Sequence, residues 1–364
     1  MTDHERAVDM IDNDVKEAPR KGEPLAKSPA GTARSSRVWL TAFSFQNASA
    51  VYIFILLAVI FSIAIPETFL TSSTWKSLLD TQVITALVAI GLCVPLATGV
   101  FDLSIGMTLG VGAVVSAYML VKAGLPTPVA IAIALVVGAT VGLINGLVVT
   151  VLNVSSFIAT LGMTALLTAF VQWITSGQQI LGLPADFQAL AAGQLFGITY
   201  PVYFLVIVAL VLWYVLERTP LGRQFYATGG NFEAARLAGV KTKRLVVLSF
   251  MIGSTVAAAA GVLLAGRLGT GDPTIGADYM LPAFTAAFLG STQFKRGRFN
   301  IWGTVVAVYV VAVGVKGRLL AGAPTWVPYF FNGAVLIIAV ALSKVQTRRR
   351  LRGGSLITRT GAAE

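Results

Sequence analysis

Long apolar runs alternate with short polar segments along most of the chain. Runs of about 20 apolar residues are long enough to cross a hydrocarbon core of about 30 Å. The pattern predicts ten spans, at 47–66, 82–99, 103–121, 127–150, 156–176, 200–216, 245–265, 276–291, 300–316 and 326–343. The span at 276–291 is the weakest of these. The predicted fold is an all-α polytopic membrane protein with about ten transmembrane helices.

The charged segments predict the orientation of these spans. Alternate counting from a cytoplasmic N-terminus places the basic segments "ERTPLGRQFYATGGNFEAARLAGVKTKR", "QFKRGRFN" and "SKVQTRRRLRGG" on the inside. This agrees with the rule that cytoplasmic loops carry an excess of Lys and Arg. Arg34 and Arg37 precede the first span, which we interpret as an uncleaved anchor. Both termini are therefore expected in the cytoplasm.

The same reading divides the chain into three parts. Residues 1–45 are expected to form a disordered cytoplasmic tail, because they are polar and contain no apolar signal core. Residues 46–344 form the predicted transmembrane domain, with a cytoplasmic loop at 217–245, and residues 345–364 form a basic cytoplasmic tail.

Composition narrows the class of protein. Hydrophobic residues make up 56% of the 364 and charged residues 12%, which is typical of a membrane protein rather than a soluble domain. The formal net charge of +11 could indicate nucleic acid binding, but the basic residues lie between apolar runs, and topology explains them better. We therefore expect no nucleic acid partner. With Cys93 and His4 as the single Cys and His, disulfide frameworks and His/Cys metal sites are excluded.

The stretch "GGNFEAARLAGV", residues 229–240, has the pattern of a short capped helix. Asn231 is a suitable N-cap, Glu233 and Arg236 can pair, and Gly239 can close the far end. One stripe carries Ala234, Leu237 and Ala238. Isolated helices need roughly 12 to 15 residues, so this one must pack on something. The alternative is a solvated connector, which charged loops usually are.

The stretch "TGVFDLSIG", residues 98–106, places Asp102 between two apolar runs with no basic residue near it in sequence. Such an acid normally faces a bundle interior or a water-filled path, and the flanking glycines suggest a broken or re-entrant helix. Alternatively, Asp102 caps the next span at the cytoplasmic surface, assisted by Ser104. The sequence supports both hypotheses equally.

An uncharged connection at 144–163 must find internal partners for its polar groups, which are Asn145, Asn153, Ser155, Ser156 and Thr160. This suits a buried turn beside a translocation path. Phe157 and Trp173 could offer aromatic faces to a sugar ring, although packing or interfacial anchoring is the commoner role. Small residues four apart, in the sets Gly106/Gly110 and Gly138/Gly142/Gly146, indicate close helix packing.

Several functions lack their sequence signatures. No G-x-x-x-x-G-K-[ST] loop occurs, so the chain is not expected to hydrolyse a nucleotide, and no motif for covalent catalysis is present. On the predicted outer side, "AGRLGTGDPTIGADYMLP" could dock an external partner or be an irregular loop.

Together these segments resemble the ribose-type permease family, the membrane subunits of bacterial ABC importers for monosaccharides and related solutes. The resemblance runs from about residue 50 to 343 and rests on "GVFDLSIG", "NGLVVTVLNVSSFIATLGM", "TPLGRQFYATGGNFEAARLAGV" and "GADYMLPAFTAAFLGST". It implies an ABC importer permease fold in the bacterial cytoplasmic membrane. It also implies a second permease copy, identical or related, two ABC ATPase domains, and a periplasmic or extracellular solute-binding protein.

The resemblance further implies that "EAARLAGV" is the coupling helix that docks on the ATPase. The coupling residues are then Asn231, Glu233, Ala234, Ala235, Arg236, Leu237 and Gly239. To the translocation path or gate we assign Asp102, Ser104, Asn145, Phe157 and Thr160. No cofactor is expected on this chain, since ATP and Mg would bind to the ATPase subunits. The alternatives are a secondary transporter driven by an ion gradient, and a membrane scaffold or sensor.

Overall fold

A computed structural model describes residues 49–294, 297–322, 324 and 326–341. The predicted tails at 1–45 and 345–364 lie outside the described residues. In chain order, the helices are α1 Ser49–Ala64, α2 Pro66–Phe69, α3 Ser72–Ala97, α4 Ile105–Val121, α5 Thr127–Thr150, α6 Ser156–Thr175, α7 Ala185–Ala192, α8 Tyr200–Arg218, α9 Pro220–Gly230, α10 Phe232–Leu237, α11 Thr242–Leu268, α12 Met280–Ser291, α13 Ile301–Leu320 and α14 Val327–Ala341.

Short strands lie in the connections between helices. They are β1 Ile180–Leu181, β2 Gln194–Leu195, β3 Ile198–Thr199 and β4 Thr270–Gly271, and a 3₁₀ helix spans Ile275–Tyr279. β1 pairs antiparallel with β4, which joins the C-terminal ends of α6 and α11. β2 and β3 form a hairpin immediately before α8. The predicted all-α fold is therefore confirmed for the spans, with strands confined to the connections.

Within the described residues, six helices are long and apolar enough to cross a membrane: α3, α5, α6, α8, α11 and α13. Shorter apolar helices are present at Phe54–Ala64, in α4 and in α14. At 12 residues, α12 is about 18 Å long, which is less than the thickness of a hydrocarbon core. This helix corresponds to the weakest of the predicted spans.

Of the two glycine sets predicted to pack helices closely, one lies between two long helices, whereas Gly106 and Gly110 contact the 3₁₀ helix at Gly276. Gly138, Gly142 and Gly146 of α5 face α11. A Cβ at Gly146 would lie 2.6 Å from the Cα of Val247, so a larger residue cannot fit there. Lipid gives helices no hydrophobic reason to associate, and such backbone contacts supply the van der Waals packing instead.

The start of α3 differs from the prediction. The helix begins at Ser72, ten residues before the predicted span at 82–99, because Thr71 caps it by accepting from the backbone N–H of Thr74 at 3.2 Å. Because the residues of the first turns are polar, the apolar run begins later than the helix does. As a result Asp80 lies within the helix, where it pairs with Arg267 at 2.9 Å.

Part of the stretch after α11 enters the bundle. Gly271 approaches Ala117, and Gly276 lies against the start of α4, where its added Cβ would be 2.7 Å from the carbonyl oxygen of Gly106. Within this stretch Gly271 and Gly276 are buried, whereas Thr274 and Asp278 are exposed, so both hypotheses for it stay open.

Candidate translocation and coupling site

Residues 98–104, here called the break, separate α3 from α4. Gly99 has φ +82°, in the left-handed region that favours glycine, and turns the chain at the end of α3. The backbone then runs without helical bonds to Ser104, and α4 begins at Ile105. Asp102 and Ser104 are both 0% exposed, whereas Gly99 and Phe101 of the same segment are exposed, so the break has a buried polar side and an open side.

Asp102, Ser104 and Asn145 form one buried polar network. Oδ1 of Asp102 accepts from the backbone N–H of Ser104 at 3.0 Å and from its hydroxyl at 2.6 Å. The Ser104 hydroxyl in turn accepts from Nδ2 of Asn145 at 2.8 Å. Oδ2 of Asp102 and Oδ1 of Asn145 have no hydrogen-bond partner among the described residues. A buried polar atom without a partner costs about 1–3 kcal/mol, so this network carries two acceptors that can bind a further donor.

A row of hydroxyls on α6 replaces the helical bonds that the break lacks. Ser156 accepts from the backbone N–H of Phe101 at 3.1 Å, and Thr160 accepts from that of Leu103 at 3.0 Å. Thr164 donates to the carbonyl oxygen of Leu103 at 3.2 Å. These residues are four apart and therefore share one face of the helix. The predicted internal partners of Ser156 and Thr160 are thus confirmed, whereas the sequence reading did not include Thr164.

These contacts bear on both hypotheses for Asp102. The carboxylate does bond the amide just before α4, as a cap would. Its complete burial fits an acid that faces the interior of the bundle, so the contacts agree with both hypotheses. Phe157, grouped with this site from the sequence, is 54% exposed and lies outside the buried network, and Trp173 is exposed as well.

Residues 229–240, here called the candidate coupling segment, contain the predicted capped helix. Oδ1 of Asn231 accepts from the backbone N–H of Ala234 at 2.9 Å, and Glu233 pairs with Arg236 at 2.7 Å. Gly239 has φ +84°, and the amides of Gly239 and Val240 bond back to Arg236 and Ala235. This is a Schellman ending. The predicted caps and ion pair are confirmed.

The apolar stripe of this helix faces away from its own chain. Ala234, Leu237 and Ala238 are all exposed, and Leu237 is exposed by 83%. Ala235, which we had grouped with the coupling residues, is instead buried against the protein. The helix is therefore anchored through Ala235 and leaves an apolar stripe without a partner in the described residues.

The fold brings the break and the candidate coupling segment into direct contact. A Cβ at Gly229 would lie within 3.0 Å of the backbone of Thr98 and Gly99. A cleft of about 490 Å³ lies between the two regions, and its lining includes Val100, Asn153 and Arg236. From the sequence we interpreted these regions as separate sites. The paired glycines before Asn231 are the signal that could have indicated a close backbone contact between them.

Tyr226 of α9 makes a second attachment, to the connection between α12 and α13. Its hydroxyl donates to the carbonyl oxygen of Phe299 at 2.6 Å, and the Arg298 guanidinium lies 3.9 Å from its ring centroid. Burial raises the pKa of Tyr226, so the phenol stays protonated as a donor. The segment before α10 is thus tied both to the break and to the α12–α13 connection.

Comparison with known proteins gives consistent relatives. The family described as "Branched-chain amino acid transport system / permease component" matches residues 76–340. The galactose/methyl galactoside import permease MglC of Haemophilus influenzae is 32% identical over 84% of this chain and 96% of its own. The ribose import permease RbsC of Bacillus subtilis is 34% identical over 79% and 90%, respectively. The D-allose transport system permease AlsC of Escherichia coli is 30% identical over 81% and 90%. No solved structure matches the chain with significance.

Proposed function

The chain belongs to the family of branched-chain amino acid transport system permease components, and we propose that it imports a monosaccharide or a similar small polar solute. Within the family it is the membrane-spanning permease subunit of an ABC importer, a transport component rather than an enzyme. Family membership also decides against the secondary transporter driven by an ion gradient. Partner ATPases and a solute-binding protein follow from this membership.

The single observation that carries the choice of solute is that three relatives, matched over most of their length, are each named for a sugar. The chemistry of the site supports it. Hydroxyl and amide groups predominate around the break, in Ser104, Asn145, Thr160 and Thr164, and such groups suit the hydroxyls of a sugar. Asp102 is the charged side chain of this network. The path or gate we propose therefore centres on Asp102, Ser104, Asn145 and Thr160.

We further propose that the ATPase docks on the candidate coupling segment. Its exposed stripe at Ala234, Leu237 and Ala238 fits a partner groove, and a helix of six residues needs that support. ATP and Mg would bind to the ATPase subunits and not to this chain. Movement of the segment would reach the break through Gly229. Two copies of the permease, identical or related, would complete the transporter.

The arrangement we propose has ten spans, formed by α1, α3, α4, α5, α6, α8, α11, α12, α13 and α14. Residues 46–344 would form the transmembrane domain, with the segment 217–245 and both termini in the cytoplasm. Pairing of β1 with β4 supports this order, because alternate counting places both strands outside. A reporter fused near Arg236 should then read cytoplasmic and one near Asp186 external. An external reading at Arg236 would refute the ten-span order.

Uptake in the native host tests the solute. The gene is deleted and restored, and uptake of labelled ribose, galactose, allose and leucine is compared in the two strains. We expect uptake of one of the sugars to require the gene, with leucine uptake unchanged. Loss of leucine uptake, with all three sugars unchanged, would instead favour the amino acid named in the family description.

A further inference from the structure

A groove on the surface of the bundle lies between α5 and α11, next to the cleft at the break, with which it shares Thr150 and Lys243. It has a volume of about 500 Å³, and its floor includes Leu147, Val151, Val247 and Leu248. Leu147 and Val151 are 44% and 63% exposed. The floor exists because Gly146 lets the two helices touch backbone to backbone at Val247. In a membrane, such an apolar floor faces lipid chains.

Two cations border one end of the groove. Lys243 and Arg244 lie in the first turn of α11 and are both exposed. The first turn carries the positive end of the helix dipole and has no acidic residue, and Lys241 at the N-cap makes no side-chain capping bond. Glu233 lines the adjoining cleft together with Lys243, but it pairs with Arg236. In the part of the chain that the structure describes, neither Lys243 nor Arg244 forms an ion pair.

We propose that this groove binds an anionic phospholipid, with an acyl chain on the apolar floor and the phosphate group at Lys243 and Arg244. Charge complementarity selects the head group, since neither cation pairs with a carboxylate of the described residues. The floor selects a lipid over a free anion, because inorganic phosphate gains nothing from apolar surface. The transporter would thus hold a specific lipid beside the candidate coupling segment.

The test uses the complete transporter, purified with its ATPase subunits and titrated with phosphatidylglycerol or phosphatidylcholine while bound lipid is counted by native mass spectrometry. We expect the Lys243→Gln/Arg244→Gln variant to bind phosphatidylglycerol about 30-fold more weakly, since each basic residue near an anionic lipid is worth about 1 kcal/mol. Arg223→Gln is the matched control, because Arg223 is exposed on α9 and is not among the residues that line the groove. An equal loss in the control, or no loss in the double variant, would overturn the proposal.

A second variant tests the floor while keeping both charges. Val151→Trp should fill the groove and weaken phosphatidylglycerol binding at least severalfold. The proposal would be refuted if Val151→Trp bound phosphatidylglycerol as wild type does and inorganic phosphate displaced the lipid as effectively as added phosphatidylglycerol. That result would show a site for a free anion. Disulfide formation between two copies of a Val151→Cys variant, in a Cys93→Ser background, would show that another permease covers the groove and would refute it as well.

Discussion

The break and the candidate coupling segment use the same local device in opposite surroundings. In each, a side-chain oxygen accepts a backbone amide at the start of a helix: Asp102 bonds Ser104, and Asn231 bonds Ala234. Asp102 is fully buried and is linked to Asn145 through Ser104, whereas Asn231 is exposed and its helix presents Leu237 to solvent. Hydrogen bonds within the chain satisfy most polar groups of the break, whereas the apolar stripe of the candidate coupling segment has no partner in the described residues.

Because of this difference, substitutions in the two regions should have different effects. Substitutions in the break should disturb the permease itself, because the lost contacts are internal. Substitutions in the candidate coupling segment should leave the permease in the membrane and disturb its association with the ATPase. Four substitutions distinguish the two regions, beginning with the most damaging.

Replacement of Asp102 by Ala should abolish uptake. The change leaves the amide and hydroxyl of Ser104 without their acceptor, at a cost of about 1–3 kcal/mol for each buried group. Asp102→Asn retains an oxygen acceptor and should keep most of the uptake. Solute uptake and the amount of permease in the membrane are measured for both. Full uptake by Asp102→Ala would contradict the claim that the internal contacts of the break are needed for transport.

Thr160→Val should lower the free energy of unfolding by about 1–2 kcal/mol, because the half-buried amide of Leu103 loses its acceptor. Thr168→Val is the control, since Thr168 is exposed on the same helix and its hydroxyl bonds only the carbonyl oxygen of Thr164. Thermal unfolding of both variants in detergent measures the difference. Equal midpoints would mean that the hydroxyl row does not support the break.

Gly239→Val should cost about 1–2 kcal/mol, because a branched residue is strained at φ +84°. No atom lies within 4 Å of the added Cβ, so the cost arises from the backbone and not from a clash. We expect reduced recovery of ATPase with the tagged permease at an unchanged membrane level. Gly230→Val, at an equally open position that lacks a positive φ, should behave as wild type. Equal recovery from both variants would contradict the proposed docking.

Asn231→Ala should have the smallest effect, about 1 kcal/mol, from the loss of one cap bond. Hydrogen exchange at the amide of Ala234 should become about fivefold faster in the isolated permease. Binding of the ATPase should reverse most of this change, since the partner would hold the helix. Asn231→Asp keeps the acceptor and serves as the control. Exchange that stays fast with the ATPase bound would argue against docking at this helix.

The sequence was informative wherever the signal was local. The span at 127–150 coincides with α5, and the caps of α10 were read from Asn231 and Gly239. In contrast, the start of α3 was missed because Thr71 and polar first turns carry it rather than apolar residues. A window that measures hydrophobicity cannot detect such a cap.

The missing parts of the site depend on contacts between distant residues. Ser156, Thr160 and Thr164 are visibly four apart, but nothing local indicates that their partners are backbone groups at 101–103. Asp80 and Arg267 likewise pair across 187 positions. Hydrogen bonds and packing of this kind arise only when the helices assemble.

The contact of Gly229 with Gly99 has a consequence for stiffness. Side chains absorb small displacements by changing rotamer, but a contact made of backbone on both sides has no such freedom. A displacement of α9 would therefore act directly on residues 98–99, because the contact leaves no room for even a methyl group. Such a contact has low compliance, so displacement at one end would be matched by displacement at the other.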